Sequence, residues 1–440
     1  MNNYINSKLI CDNLDIDSNG VLTFAGMNTV KLARKYGTPL YLFDEERIRR
    51  NCRVFIDAVN NFFGGNARIY YASKAACFKK IYNVIDEEKL YADVVSTGEI
   101  RTALAANFPT EKLCFHSNNK TDSDISYAID NKIGCFVCDN VEEVYAIDRI
   151  ARGKGVKQDI ILRVTPGIDP HTYEAVTTGK VDSKFGSAIE TGQAEEITVI
   201  ALGLEGINLI GFHCHIGSQV FDSDVYLSAA GKMLEFIKLI SEKYSFTARF
   251  LDLGGGFGIK YVPLQPSSDI PKIISEIADF MRTKCASLGL DMPTVCFEPG
   301  RSIVADAGIT LYTVGTVKKI TGYKNYVSVD GGMADNIRYA LYRAPYTLAL
   351  ADNMNLADNM ICSVVGRCCE SGDIIQNNVM LPDCVRRGDT IACFTTGAYN
   401  YSMASNYNRI PRPPIVMISD KKDYVAVRRE TIDDLISLDV

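Results

Sequence analysis

Several short apolar runs in this sequence end on a group able to do chemistry. Tyr70-Tyr-Ala-Ser-Lys74-Ala places an amine there. Lysine is ordinarily a solvated surface charge, but the partly desolvated end of a strand lowers an ammonium from its reference pKa of about 10.4 and frees it to form a Schiff base with a carbonyl. Phe212-His213-Cys-His215-Ile-Gly-Ser218-Gln holds two of the four histidines. In a strand these two share a face, and they read as packed core, as a His-x-His metal pair, or as an imidazole lying against a planar ligand with the Gly-Ser turn on its phosphate. A metal needs further ligands, and the remaining His116 and His171 offer no evident completion.

Asp252-Leu-Gly254-Gly255-Gly256-Phe-Gly258 presents three successive glycines. Such a run makes either a tight turn or a cradle of backbone N–H groups that an anion can approach closely. Phe297-Glu298-Pro-Gly300-Arg301 ends on a glutamate that is costly to bury unless paired. Its partner is a structural cation or a protonated ring nitrogen. An amine, an anion cradle and such a carboxylate at one strand-end face are explained together by pyridoxal phosphate, with no metal called for.

The elements that must position these groups follow a regular rhythm. Short runs rich in β-branched and aromatic residues start at Arg68, Ala92, Leu113, Cys135, Ile160, Leu209, Arg249 and Thr294, with stretches of helical spacing between them, such as Gly98–Ala106 and Tyr226–Tyr244. The alternation predicts an α/β fold, a (β/α)₈ TIM-like barrel over residues 41–300, with catalytic groups at the carboxyl ends of its strands. A doubly wound open sheet is the alternative, since alternation alone does not prove closure. After Arg301 the texture changes to strands joined by glycine-bearing turns, for example Ile309–Val317, Tyr326–Asp330 and Thr390–Phe394. This predicts a β-rich domain over 301–440, which the strand-and-turn texture of residues 1–40 is expected to join.

Composition bounds the partners. The 440 residues exceed what one core usually serves, and 47% hydrophobic with 23% charged residues is the make-up of a soluble globular chain. A net charge of −6 without a basic cluster argues against nucleic acid and against an anionic membrane surface. No apolar run approaches the ~18 residues of a spanning helix, and the first residues lack a basic segment followed by an apolar one; a cytoplasmic enzyme acting on small molecules is expected. The 14 cysteines are scattered, mostly in strand-like runs, as reduced buried thiols would be. Cys135 and Cys138 form a Cys-x-x-Cys without a second pair, and read as strand core.

Tyr-Ala-Ser-Lys74-Ala, His215-Ile-Gly-Ser-Gln, Gly254-Gly-Gly-Phe-Gly and Glu298-Pro-Gly-Arg301, in this order and spacing, resemble the signatures of the fold-type III pyridoxal-phosphate-dependent decarboxylases. His171–Gly186, with Thr178-Gly-Lys and Asp182-Ser-Lys-Phe-Gly, and Cys369-Glu370-Ser-Gly-Asp373 narrow the resemblance to their diaminopimelate decarboxylase branch. The resemblance implies that Lys74 carries the cofactor, His215 stacks on its ring and Glu298 faces its ring nitrogen. It assigns the phosphate to Ser218, Gly255, Gly256, Gly300, the backbone of Arg301 and the hydroxyl of Tyr399. It assigns substrate to Arg301, Arg338, Tyr342, Glu370 and Tyr399, and proton return to Cys369. It further implies a homodimer in which Cys369 and Glu370 reach the partner subunit's site.

Two arginines and a glutamate suit a substrate whose far end is itself an amino acid, as in meso-diaminopimelate. The family usually has Pro at Arg367 and Tyr339 and Asn at Ala334, departures on the substrate side. The other readings are a decarboxylase of ornithine, lysine or arginine, a non-catalytic cofactor-binding protein, and a metal hydrolase built on His213 and His215.

Overall fold

The structure is a computed structural model and describes residues 8–168 and 183–440. Most of the His171–Gly186 motif therefore lies outside the described residues. The chain forms two compact units, one of 51–258 and 267–302, the other of 1–50, 259–266 and 303–440.

The first unit is a closed barrel. Its eight strands are β1 (Ala67–Ala72), β2 (Tyr91–Val94), β3 (Leu113–Phe115), β4 (Cys135–Cys138), β5 (Gln158–Thr165), β6 (Ile207–His213), β7 (Phe250–Asp252) and β8 (Thr294–Phe297). Each pairs in parallel with the next, and β8 pairs with β1 through Val295 and Ala67, Cys296 and Arg68, Phe297 and Ile69. Closure excludes the open sheet. Helices separate the strands: Thr121 and Asp124 form a reciprocal capping box ahead of Asp122–Asp130, and Ser96 and Asn140 cap Thr97–Ala105 and Val141–Gly153.

Tyr70, Cys114, Cys135, Val137, Ile161, Ile210 and Cys296 pack together, one or two from each of β1, β3, β4, β5, β6 and β8. This layer makes the barrel interior a filled core, as in other barrels of this kind. Its three cysteines are free, buried thiols, as the apolar strand context of the sequence requires.

In the second unit a mixed sheet runs in the order Ile374–Leu381, Met360–Val365, Lys324–Val329, Gly308–Ile320, Leu40–Asp44, Ile415–Ser419, Lys422–Val427. The long strand Gly308–Ile320 serves two neighbourhoods. Its first residues pair with Leu40–Asp44 and Thr390–Cys393, and its last with Lys324–Val329. Leu14, Leu22, Phe24 and Val30 share one core with Ile309, Leu311, Phe394 and Val416. The amino-terminal residues thus contribute strand and core to the β-rich unit. No described helix is long and apolar enough to cross a membrane.

Candidate active site

In the barrel unit the groups singled out by sequence stand at the carboxyl ends of the strands. Lys74 lies in the single turn Ser73–Ala75 directly after β1. Ser73 and Ala75 are buried while the Lys74 side chain is exposed, so the turn is anchored and only the amine projects. Two tyrosines fix the anchor: the Tyr71 hydroxyl donates to the carbonyl of Ala76 at 2.9 Å and that of Tyr82 to Ser73 Oγ at 2.9 Å.

Glu298 follows β8, the strand beside β1, and is buried. Its Oε2 lies 3.1 Å from His213 Nε2. Its Oε1 lies 2.5 Å from His116 Nε2, but this contact lacks hydrogen-bond alignment, and Oε1 accepts no aligned hydrogen bond among the described residues. Burial alone would raise the Glu298 pKa, and the two imidazoles reverse this and hold it well below the usual carboxylate range. The two other carboxylates nearby go the opposite way. Burial pushes Asp252 well up, with Glu298 adding to the effect, and burial also raises Asp93. Negative charge at this face is thereby concentrated on Glu298.

The two histidines of the His-x-His stretch do different things, because the strand stops at His213 and its alternation ends there. His213 turns to Glu298, and burial lowers its pKa to about 4, so the ring is neutral at neutral pH. His215 accepts from the backbone N–H of Gly255 at Nδ1, 3.3 Å, which places its own proton on Nε2. Burial, then Lys74 and Arg163, push its pKa well below the usual value, so it too is an uncharged flat ring.

The glycine run is required by close approach. A Cβ on Gly255 would stand 2.1 Å from the carbonyl oxygen of Glu298, and one on Gly256, whose φ is +96°, 2.3 Å from that of Gly217. Only glycine lets β6, β7 and β8 bring their following loops together here. Tyr226 closes the turn from behind by donating to the carbonyl of Gly255 at 3.0 Å. Across the turn, Arg301 Nη2 donates to Ser218 Oγ at 3.0 Å. Gly300 is seated against β1, where a Cβ would meet that of Ala72 at 2.8 Å. The structure thus brings Lys74, His215, Ser218, Gly255, Gly256, Glu298, Gly300 and Arg301 to one end of one barrel.

The remaining sequence candidates belong to the β-rich unit. Arg338 opens the helix Arg338–Tyr342 and is 6% exposed. Its guanidinium donates to the Tyr346 hydroxyl at 2.7 Å and lies 5.0 Å from the centre of the Tyr261 ring. No acidic side chain pairs with it among the described residues. A buried guanidinium without a counter-ion is expensive, and its natural complement is an anionic ligand. Tyr342 is half-buried on the same helix and Tyr399 is half-buried with φ +62°. Cys369 and Glu370 are exposed on a turn folded over Asp373, which accepts from the N–H groups of Cys368 and Met333, both at 2.6 Å. Cys369 N donates to Asn408 at 2.7 Å. Of the departures, Arg367 is exposed, Ala334 is buried and Tyr339 lies under the Arg343 guanidinium at 5.6 Å.

Asp93, His116 and Arg163 also belong to this constellation and escape sequence reasoning. The signal was present: each is a charged or titratable residue in or just after an apolar strand. His116, Asp93 and Arg163 come from β3, β2 and β5, so no spacing links them. An exposed amine, an anionic carboxylate with unfilled acceptor capacity, a flat imidazole and a glycine turn beside a hydroxyl and a guanidinium can together hold a planar, phosphorylated heteroaromatic aldehyde.

Residues 45–305 match the family model described as the pyridoxal binding domain of pyridoxal-dependent decarboxylases. The chain is 43% identical over 424 residues to diaminopimelate decarboxylase of Bacillus subtilis strain 168, covering 96% of each. It superposes on a crystal structure of diaminopimelate decarboxylase from M. jannaschii with a TM-score of 0.90 at 33% identity, covering 98% of each chain. A second crystal structure of that enzyme, in complex with L-lysine, gives a TM-score of 0.88 at 32% identity and again covers 98% of each chain.

Proposed function

This chain belongs to the pyridoxal-dependent decarboxylase family, on its diaminopimelate decarboxylase branch, and from that premise we propose that it converts meso-2,6-diaminopimelate to L-lysine and CO2, the last step of lysine biosynthesis, in the cytoplasm. The observation that carries the reaction is the position of an exposed Lys74 amine just after β1 and of a buried, anionic Glu298 just after the adjacent β8.

Pyridoxal phosphate fits these residues, because the unfilled acceptor on Glu298 Oε1 suits a ring N–H and the Gly254–Gly256 turn leaves no room for side chains beside Ser218 and Arg301. When bound, it supplies a conjugated ring that takes up the electron pair left on the substrate's α-carbon as CO2 departs. Lys74 would hold the cofactor through its side-chain amine. Glu298 would keep a proton at the ring nitrogen, and the uncharged His215 would lie against the ring. Ser218, Gly255, Gly256, Gly300, the Arg301 backbone and Tyr399 bind the phosphate. Arg301 and Arg338, with Tyr342 and Tyr399, orient the distal carboxylate, and Glu370 receives the distal ammonium. Cys369 returns a proton to the α-carbon.

Lysine, ornithine and arginine lack the distal carboxylate and would leave Arg338 buried without its anion. A charge-assisted hydrogen bond to that carboxylate contributes about 1.5–3 kcal/mol, so kcat/KM for meso-diaminopimelate should exceed that for lysine or ornithine by at least ~10–100-fold. A CO2-release panel over the four amino acids measures this directly. Faster turnover of lysine or ornithine overturns the substrate assignment.

The exposure of Cys369 and Glu370 supports a homodimer in which each subunit lends them to the other's site. Equal mixing of Lys74→Ala and Cys369→Ala subunits, with exchange verified by mass, should then recover about a quarter of wild-type activity. Half of the dimers are mixed, and each of these has one intact site. No recovery after exchange places Cys369 beside its own subunit's Lys74 or outside the chemistry.

A further inference from the structure

His213 is fully buried, and its Nδ1 has no hydrogen-bond partner among the described residues. Its only directed polar contact there is Nε2 to Glu298 Oε2. Burying an imidazole with one nitrogen unsatisfied is costly, a cost packing alone does not explain where a leucine would fill the space. The geometry at the carboxylate shows the return. With Oε2 engaged, the Glu298 carboxylate cannot rotate freely, and Oε1 is left as the oxygen with unfilled acceptor capacity. His116 packs edge-on to His213 at 5.0 Å between ring centres and limits movement from the other side.

We infer that His213 is a positioning residue, which fixes one oxygen of Glu298 so that the other is presented to the ring nitrogen of the cofactor. The inference rests on the reading of Glu298 given above and adds to it the part that makes the carboxylate effective. Asp93, Asp252, Arg163 and Lys74 also act electrostatically on Glu298 or its histidines, and His116 Nε2 lies beside Oε1 without hydrogen-bond alignment, whereas His213 Nε2 meets Oε2 at 3.1 Å. Among the described residues, the aligned contact that sets the orientation of Oε2 comes from His213.

The test compares His213→Leu, which removes the donor, with His213→Gln, whose amide nitrogen reaches close to the position of Nε2. The readout is the 15N resonance of ring-labelled pyridoxal phosphate bound to the whole protein, read by solid-state NMR together with cofactor affinity by fluorescence. In wild type the resonance should report a protonated nitrogen. In His213→Leu it should move towards the unprotonated value, with affinity at least several-fold weaker and kcat at least ~10-fold lower; His213→Gln should restore most of each. A protonated resonance in His213→Leu overturns the inference and leaves the Glu298 role standing. An unprotonated resonance in wild type overturns that role itself. Should His213→Leu not fold, His213→Asn, with its donor drawn back from Glu298, makes the same comparison against His213→Gln.

Discussion

The Lys74→Ala variant is expected to release CO2 from meso-diaminopimelate at least ~10³-fold more slowly than wild type, because the covalent attachment that splits one difficult step into two is lost. The purified variant should also lack the borohydride-reducible absorbance band near the visible edge that marks a lysine-bound cofactor. The fold should survive. Lys74 is the one exposed residue of a turn whose neighbours Ser73 and Ala75 are buried and whose backbone is tied by Tyr71 and Tyr82. Circular dichroism and the melting temperature of the cofactor-free protein should therefore match wild type. Decarboxylation at an undiminished rate would falsify the assignment of this barrel end as the active site.

Glu298→Gln should lower kcat by about 10²-fold while the cofactor still binds. A neutral amide keeps the shape of the carboxylate but cannot stabilise a protonated ring nitrogen, and the charge-assisted hydrogen bond it forfeits contributes up to about 3 kcal/mol. The empty variant should be somewhat less stable at neutral pH, since the carboxylate it loses is the one that the two imidazoles hold well below the usual range. Single-turnover measurement with saturating substrate separates this from a binding defect. A rate within twofold of wild type would assign the electron-withdrawing role to another group.

The barrel was legible because parallel strands are covered on both faces and so read as short continuous apolar runs. All eight runs starting between Arg68 and Thr294 are barrel strands, and Lys74, His215, Glu298 and the glycine turn follow them as expected. The change of texture after Arg301 was equally plain. What could not be read was pairing between residues far apart in the chain. Nothing local says that Leu40–Asp44 lies between Gly308–Ile320 and Ile415–Ser419, since its partners are set by the register of other strands. The same limit hid the partners of Glu298. His116 looked like a leftover histidine, and by alternation His213 was expected to share a face with His215. Their separate duties depend on where β6 stops and on how closely β3 approaches β8 across the barrel mouth.

The short segment Ile259–Pro266 follows β7 yet belongs to the β-rich unit, where Tyr261 faces Arg338 and its carbonyl accepts from Thr347 at 2.9 Å. Recombination between relatives is therefore constrained in a way the linear map conceals. A chimera joined at 302/303 would inherit the arginine from one parent and one of its two aromatic walls from the other. A workable exchange carries 1–50 and 259–266 along with 303–440, so that the lineage of the guanidinium and of its surroundings stays the same.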